Sequence, residues 1–149
     1  MADRYLDDFR PGERFVSGGI TITEAMIVDF ALRFDPQPFH LDREAAAQSL
    51  YGGLIASGIQ TLALAFRLVL DTGVFRACAM GSPGADEVRW LKPVRPGDTI
   101  HAEFKVVEIR PSHSKPDRGV LRMAYRILNQ AGEEVMTLTI MHLLRRARA

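Results

Sequence analysis

The residues of this chain best suited to chemistry lie between positions 35 and 58. Asp35-Pro36-Gln37-Pro38-Phe39-His40 puts a carboxylate and an imidazole on one hexapeptide, and the pair Ser57-Gly58 follows. Histidine titrates near neutral pH and aspartate is normally ionised there, so the two form a minimal acid–base set. Proline fixes φ at positions 36 and 38 and pushes Asp35 and Gln37 out of helical geometry, which predicts a stiff, extended loop. An Asp and a His this close are common in proteins, so the rest of the chain must decide what they do.

Other chemistries lack their residues. Ser57 is not a nucleophile elbow, because Ile55 and Ile59 stand where Gly-x-Ser-x-Gly needs glycine. His40 and Asp42 are close, but no further His or Cys has metal-ligand spacing, so no metal is expected. No Gly-x-Gly-x-x-Gly cradles a phosphate, which argues against a nucleotide cofactor. His101 on the polar face of a strand and His113 in a polar loop read as solvated, and His142 as structural. Cys78 reads as a small core residue, and a single cysteine allows no internal disulfide and fits a reducing, cytoplasmic setting.

The elements that must position Asp35 and His40 are visible as changes of period. Phe15 to Ile22 reads as a first strand after the Pro11-Gly12 turn. Thr21-Ile-Thr-Glu24 matches a capping box, and Ile27, Phe30, Ala31 and Phe34 continue at helical spacing into Asp35. Asp42 to Gln48 predicts another short helix, broken by Tyr51-Gly-Gly53. A long apolar helix is predicted from about Ile55 to Phe75, and because it is apolar nearly all round it must be wrapped. After it the period becomes two: Ile100, Ala102, Phe104 and Val106 alternate with polar residues, as do Leu121 to Ile127 and Met136 to Ile140. Asp117-Arg-Gly119 and Gln130-Ala-Gly-Glu133 supply turn chemistry between them. Helices followed by consecutive antiparallel strands make an α+β domain.

Composition sets outer limits. A chain of 149 residues with 47% hydrophobic and 25% charged residues is one ordinary globular domain, 1–149, able to bury a core. A net charge of +1 gives no reason to expect nucleic acid or an anionic membrane as partner. The charged N-terminus leads us to expect no secretory signal, and with Gln60, Arg67, Asp71 and Arg76 in it the long apolar stretch reads as a buried helix, not a membrane span. The basic tail Arg145 to Arg148 reads as a solvated terminus.

Three segments taken together name a family. Asp35-Pro-Gln-Pro-Phe-His40, Tyr51-Gly-Gly-Leu-Ile-Ala-Ser-Gly58 and Trp90-Leu-Lys-Pro-Val-Arg-Pro-Gly-Asp98 resemble the MaoC-like dehydratases, relatives of the (R)-specific enoyl-CoA hydratases. The likeness runs from about Phe15 to His142. In the family's loop, Asp-x-Asn-Pro-x-His, the positions of Asp35, Pro38 and His40 match, and Gln37 replaces the Asn. Ser57-Gly58 falls on the family's His-Gly or Ser-Gly pair. A serine found further along the helix in some hydratases aligns near Phe66, which has no hydroxyl.

The resemblance implies a single hotdog domain, a curved antiparallel sheet wrapped around one long helix. It implies that Asp35 and His40 hold a water and deliver it across the C2=C3 bond of a trans-2-enoyl-CoA, giving an (R)-3-hydroxyacyl-CoA. The N–H of Gly58 would hold the thioester oxygen, since a helix start has free N–H groups and glycine permits close approach. Which of Asp35 and His40 is acid and which base stays open, because coupled groups titrate as a pair. Ser57, Gln37 and Phe66 become substrate-contact candidates, and Lys92, Arg95 and Arg118 could meet CoA phosphates. The acyl-CoA is substrate, no separate cofactor is implied, and the chain is expected to work as a homodimer or larger. The rivals are a hotdog thioesterase, for which Asp71 is the one acid on the long helix, and a non-catalytic subunit that binds acyl-CoA.

Overall fold

The alternating stretches after residue 98 become three long strands. In the computed structural model, which describes residues 2–147, these are β3 (Thr99–Pro111), β4 (Arg118–Leu128) and β5 (Glu134–Arg145), each antiparallel to the next. Ile100, Ala102, Phe104 and Val106 all point into the core, as do Leu121, Met123, Tyr125 and Ile127. The turn between β4 and β5 is built by Asn129, whose side-chain oxygen accepts from Ala131 and Glu133 N–H, with Gly132 at φ +75°. Asp117-Arg-Gly119, expected as a turn, is different: Arg118 and Gly119 already belong to β4. Gly119 is there because a Cβ would meet Leu6 at 2.5 Å and the Arg110 carbonyl at 2.7 Å.

Two further strands complete one sheet in the order β1-β3-β4-β5-β2. β1 (Arg14–Thr21) pairs with β3, and β2 (Gly84–Trp90) pairs with β5. The sequence pattern did not predict β2. It is polar, and an irregularity between Asp86 and Arg89 breaks its alternation.

The helices fill the space between strands. α1 (Glu24–Phe34) is capped by Thr23, whose hydroxyl accepts from Met26 N–H at 3.1 Å, two residues past the Thr21 expected from the capping-box pattern. The chain stays extended through Ile22 because that residue is fully buried and its N–H bonds the Asp98 carbonyl at 2.8 Å. Two short helices follow, α2 (Pro38–Leu41) and α3 (Arg43–Gln48). Asp42 caps α3 by accepting from Glu44 and Ala45 N–H.

The long helix α4 spans Gly58–Asp71, shorter than the predicted Ile55 to Phe75. Backbone bonds from Ile55 to Phe39 and from Ala56 to Val94 keep the chain extended before it, and Gly73 at φ +78° follows its end. Ala65, Leu68 and Val69 seat it on the sheet. Each such aliphatic side chain contributes about 1.5–3 kcal/mol by burial, so a charge at Val69 would undock the helix. The opposite face is not wrapped as predicted: Ile59, Phe66 and Leu70 are 53%, 38% and 44% exposed.

Cys78 is buried, and burial pushes its thiol up to about 11, an inert core residue. No helix among the described residues is long and apolar enough to cross a membrane. Of the basic tail, Arg145 closes β5 and Arg146 pairs with Asp7 at 2.8 Å, while Arg148 lies outside the described residues.

Candidate active site

The two prolines act as anticipated on φ, but the segment they build is tighter than an extended loop. Pro36 ends α1, leaving Asp35 at φ −151°, ψ 69° with its N–H on the Ala31 carbonyl at 3.0 Å. Pro38 then opens α2 at its first position, where its missing N–H costs nothing. The chain therefore doubles back, with Gln37 N–H on the Asp35 carbonyl and His40 N–H on the Gln37 carbonyl. This single turn brings His40 over Asp35.

Asp35 and His40 face each other, His40 Nε2 standing 3.2 Å from Asp35 Oδ2. The other ring nitrogen, Nδ1, is 2.7 Å from the Ile55 carbonyl. A carbonyl can only accept, so Nδ1 carries a hydrogen and the ring's orientation is fixed. The bond also ties α2 to the strand-like lead into α4, an attachment repeated by Ile55 N–H on the Phe39 carbonyl. His40 is 3% exposed.

The other oxygen of Asp35 accepts from Gln37 Nε2 at 2.6 Å, so Gln37 fills the carboxylate's remaining side. Burial raises the Asp35 carboxyl, but hydrogen bonds from Ser57 and Gln37 and the facing His40 more than offset this, and Asp35 ends below the usual carboxylate range. Ser57, fully buried, caps α4 by accepting from Ile59 N–H at 3.2 Å. Gly58 is the first residue of α4, and among the described residues its N–H meets no acceptor.

Asp35, His40 and Gly58 line one cavity of about 490 Å³, walled on its apolar side by Phe39, Tyr51 and Ile55. Gln37 also lines it, whereas Ser57 is fully buried and does not. Phe66 is not on its wall. It sits about two turns further along α4 with its ring stacked 6.4 Å from that of His142. Of the CoA-phosphate candidates, Lys92 lines the cavity and pairs with Glu133, Arg95 donates to the Tyr51 carbonyl, and Arg118 pairs with Asp117 at 2.8 Å away from the cavity. Trp90 and Thr61 also line the cavity and were missed as site residues. Trp90 had a signal only as part of a family segment. Among the described residues no group of His, Cys, Asp and Glu could hold a metal ion.

One long helix against a five-stranded antiparallel sheet is the hotdog fold, and here the Asp–His pair lies beside the start of that helix. Residues 8–122 match the family described as MaoC like domain, and the chain belongs to that family. A MaoC-like dehydratase from Rhodospirillum rubrum is 40% identical in sequence and superimposes with a TM-score of 0.90, covering 98% of this chain and 99% of that one. An R-hydratase from Pseudomonas aeruginosa, unliganded, is 25% identical with a TM-score of 0.76 over 97% of this chain and 86% of its own. A mesaconyl-CoA hydratase from Cereibacter sphaeroides is 34% identical over 146 residues, 91% of this chain but 39% of that longer protein.

Proposed function

We propose that this protein hydrates a trans-2-enoyl-CoA to the (R)-3-hydroxyacyl-CoA, and catalyses the reverse dehydration. The observation that carries the reading is the clamp on His40. With Nδ1–H committed to the Ile55 carbonyl, Nε2 is the one ring nitrogen free to act, and it faces an ionised Asp35 across 3.2 Å.

The ionised state of Asp35 supports the following division of roles. Asp35, held as a carboxylate, is the base: it takes one proton from a water lying between the two side chains as the water's oxygen bonds C3. The π electrons of the C2=C3 bond move toward the thioester oxygen, where the Gly58 N–H at the positive end of α4 stabilises the developing charge. His40, protonated at Nε2, gives that proton to C2 and the enolate collapses to the thioester. The proton on Asp35 passes to His40 across their contact, and the pair is reset. Acid, base and N–H donor all belong to the chain, so the reading calls for no separate cofactor.

The R-hydratase and mesaconyl-CoA hydratase relatives support a hydratase over a thioesterase. So does Asp71, the acid a helix-borne thioesterase would use. It lies at the far end of α4, exposed and 3.5 Å from Arg67. Gln37, which stands where the family carries Asn, still bonds Asp35, which supports a catalytic chain over a non-catalytic subunit. We assign the whole chain to one hotdog domain working in the cytoplasm on a small-molecule thioester, without nucleic acid or membrane. The free edge of β2 and the exposed apolar residues Ile59, Phe66 and Leu70 fit a second copy, so the working unit is a homodimer.

Incubation with crotonyl-CoA separates the readings. Loss of the conjugated-enoyl absorbance with formation of the (R)-3-hydroxy product supports the hydratase. Release of free CoA thiol, or no reaction across short, branched and dicarboxylic enoyl-CoAs, overturns it.

A further inference from the structure

The irregularity in β2 has a definite geometry. Before it, Ala85 pairs with Ile140; after it, Trp90 pairs with Met136. The shift inserts one extra residue into β2, and Glu87, at φ 52°, is the only non-glycine residue with positive φ among the described residues. Ile140 and Met136 are both buried in the core, so Ala85 and Trp90 share the core-facing side of the sheet. Regular alternation from Ala85 would put Trp90 on the outer side, because a one-residue slip exchanges faces. The bulge therefore puts the indole, still 49% exposed, on the core-facing side of the sheet, at the conformational cost of a strained non-glycine residue.

What the indole meets there is the start of α4. Trp90 Nε1–H donates to the Gly58 carbonyl at 2.9 Å. A Cβ on Gly58 would lie 2.6 Å from two atoms of the same ring, so the indole or the helix start would have to shift to admit it. Gly58 is thus glycine because Trp90 lies on it, a reason separate from approach by a thioester. Trp90 also lines the cavity that holds Asp35 and His40.

We propose that Trp90 is a positioning residue for the reaction: the bulged strand delivers its indole onto Gly58, and the indole fixes the turn whose N–H receives the thioester oxygen. The proposal rests on the hydratase reading for its catalytic consequence but not for the contact itself. Two measurements divide these. The first is a stability cycle without substrate. Gly58→Ala should lower Tm by about 5 °C or more in the native background and by about 1 °C or less in a Trp90→Leu background, where the methyl group has room. Equal losses in both backgrounds overturn the contact and the proposal with it.

The second measurement is turnover of crotonyl-CoA by Trp90→Phe, which keeps a ring over Gly58 but loses the N–H. A lost transition-state constraint should lower kcat about tenfold while KM changes less than about twofold. An unchanged kcat, or a loss confined to KM, overturns the positioning role. A native protein with no hydratase activity overturns the catalytic consequence and the hydratase reading together, while the stability cycle still judges the contact.

Discussion

Lowering the pH should destabilise this protein through His142. The residue lies on β5 facing α4, 5% exposed, with its ring 4.4 Å from that of Phe75 and its Nε2 hydrogen-bonded to the Tyr125 hydroxyl. Burial pushes its pKa down from 6.5 to about 4, and burial likewise raises the Tyr125 phenol. Protonation would place an uncompensated cation among Phe66, Phe75 and Tyr125. Between pH 6.5 and about 4 the unfolded chain binds a proton at His142 that the folded chain does not, so stability rises with pH across that window. At about 1.4 kcal/mol per pH unit, the drop from 6.5 to about 4 comes to about 3 kcal/mol, all of it present above 6.5 and lost by about pH 4. Urea denaturation of the native protein and of His142→Phe, at pH values from 4 to 8, isolates this contribution from the carboxylates that titrate in both. The variant gives up the Tyr125 hydrogen bond, a cost of about 1 kcal/mol at every pH. Its stability should nonetheless fall about 3 kcal/mol less than that of the native protein between pH 7 and pH 4. Parallel pH dependences in the two proteins would refute the argument.

Three further outcomes follow from the same geometry. Gln37→Ala removes a hydrogen bond that holds Asp35 ionised, so the acidic limb of kcat/KM should move to higher pH; an unmoved limb would show that Gln37 does not tune the carboxylate. Phe66→Ser should cost about 1–2 kcal/mol, less than a fully buried ring because Phe66 is 38% exposed, and should leave acyl-chain preference unchanged in competition assays. Light scattering should give twice the chain mass of 16.6 kDa, and Leu70→Glu, which charges the open face of α4, should halve it; a native mass near 16.6 kDa would contradict the dimer.

Some of this molecule was legible in its sequence, for physical reasons that differ from element to element. β3, β4 and β5 were readable because each has one face on the core, which imposes a strict period of two. Asp35 and His40 were readable as a pair because the prolines between them remove conformational freedom, although not that Pro38 would start a helical turn in place of extended chain. β2 was hidden by its own bulge: the extra residue that turns Trp90 inward also erases the alternation a strand is recognised by. The open stripe of α4 was misread because an apolar helix face looks the same in sequence whether the sheet covers it or leaves it open. Ile55 could not have been found, since it acts through its backbone carbonyl, which any residue supplies.

In the proposed mechanism Asp35 and His40 act as one acid–base unit on an enoyl thioester. The most direct measurement is kcat for crotonyl-CoA hydration by Asp35→Asn, His40→Ala and the double variant, with thermal unfolding confirming that each is folded. Each single change should lower kcat by about two to four orders of magnitude, and the double variant should be little worse than the poorer single one, because neither group works without the other. Near-native turnover in either single variant, or losses that multiply in the double, would contradict the account.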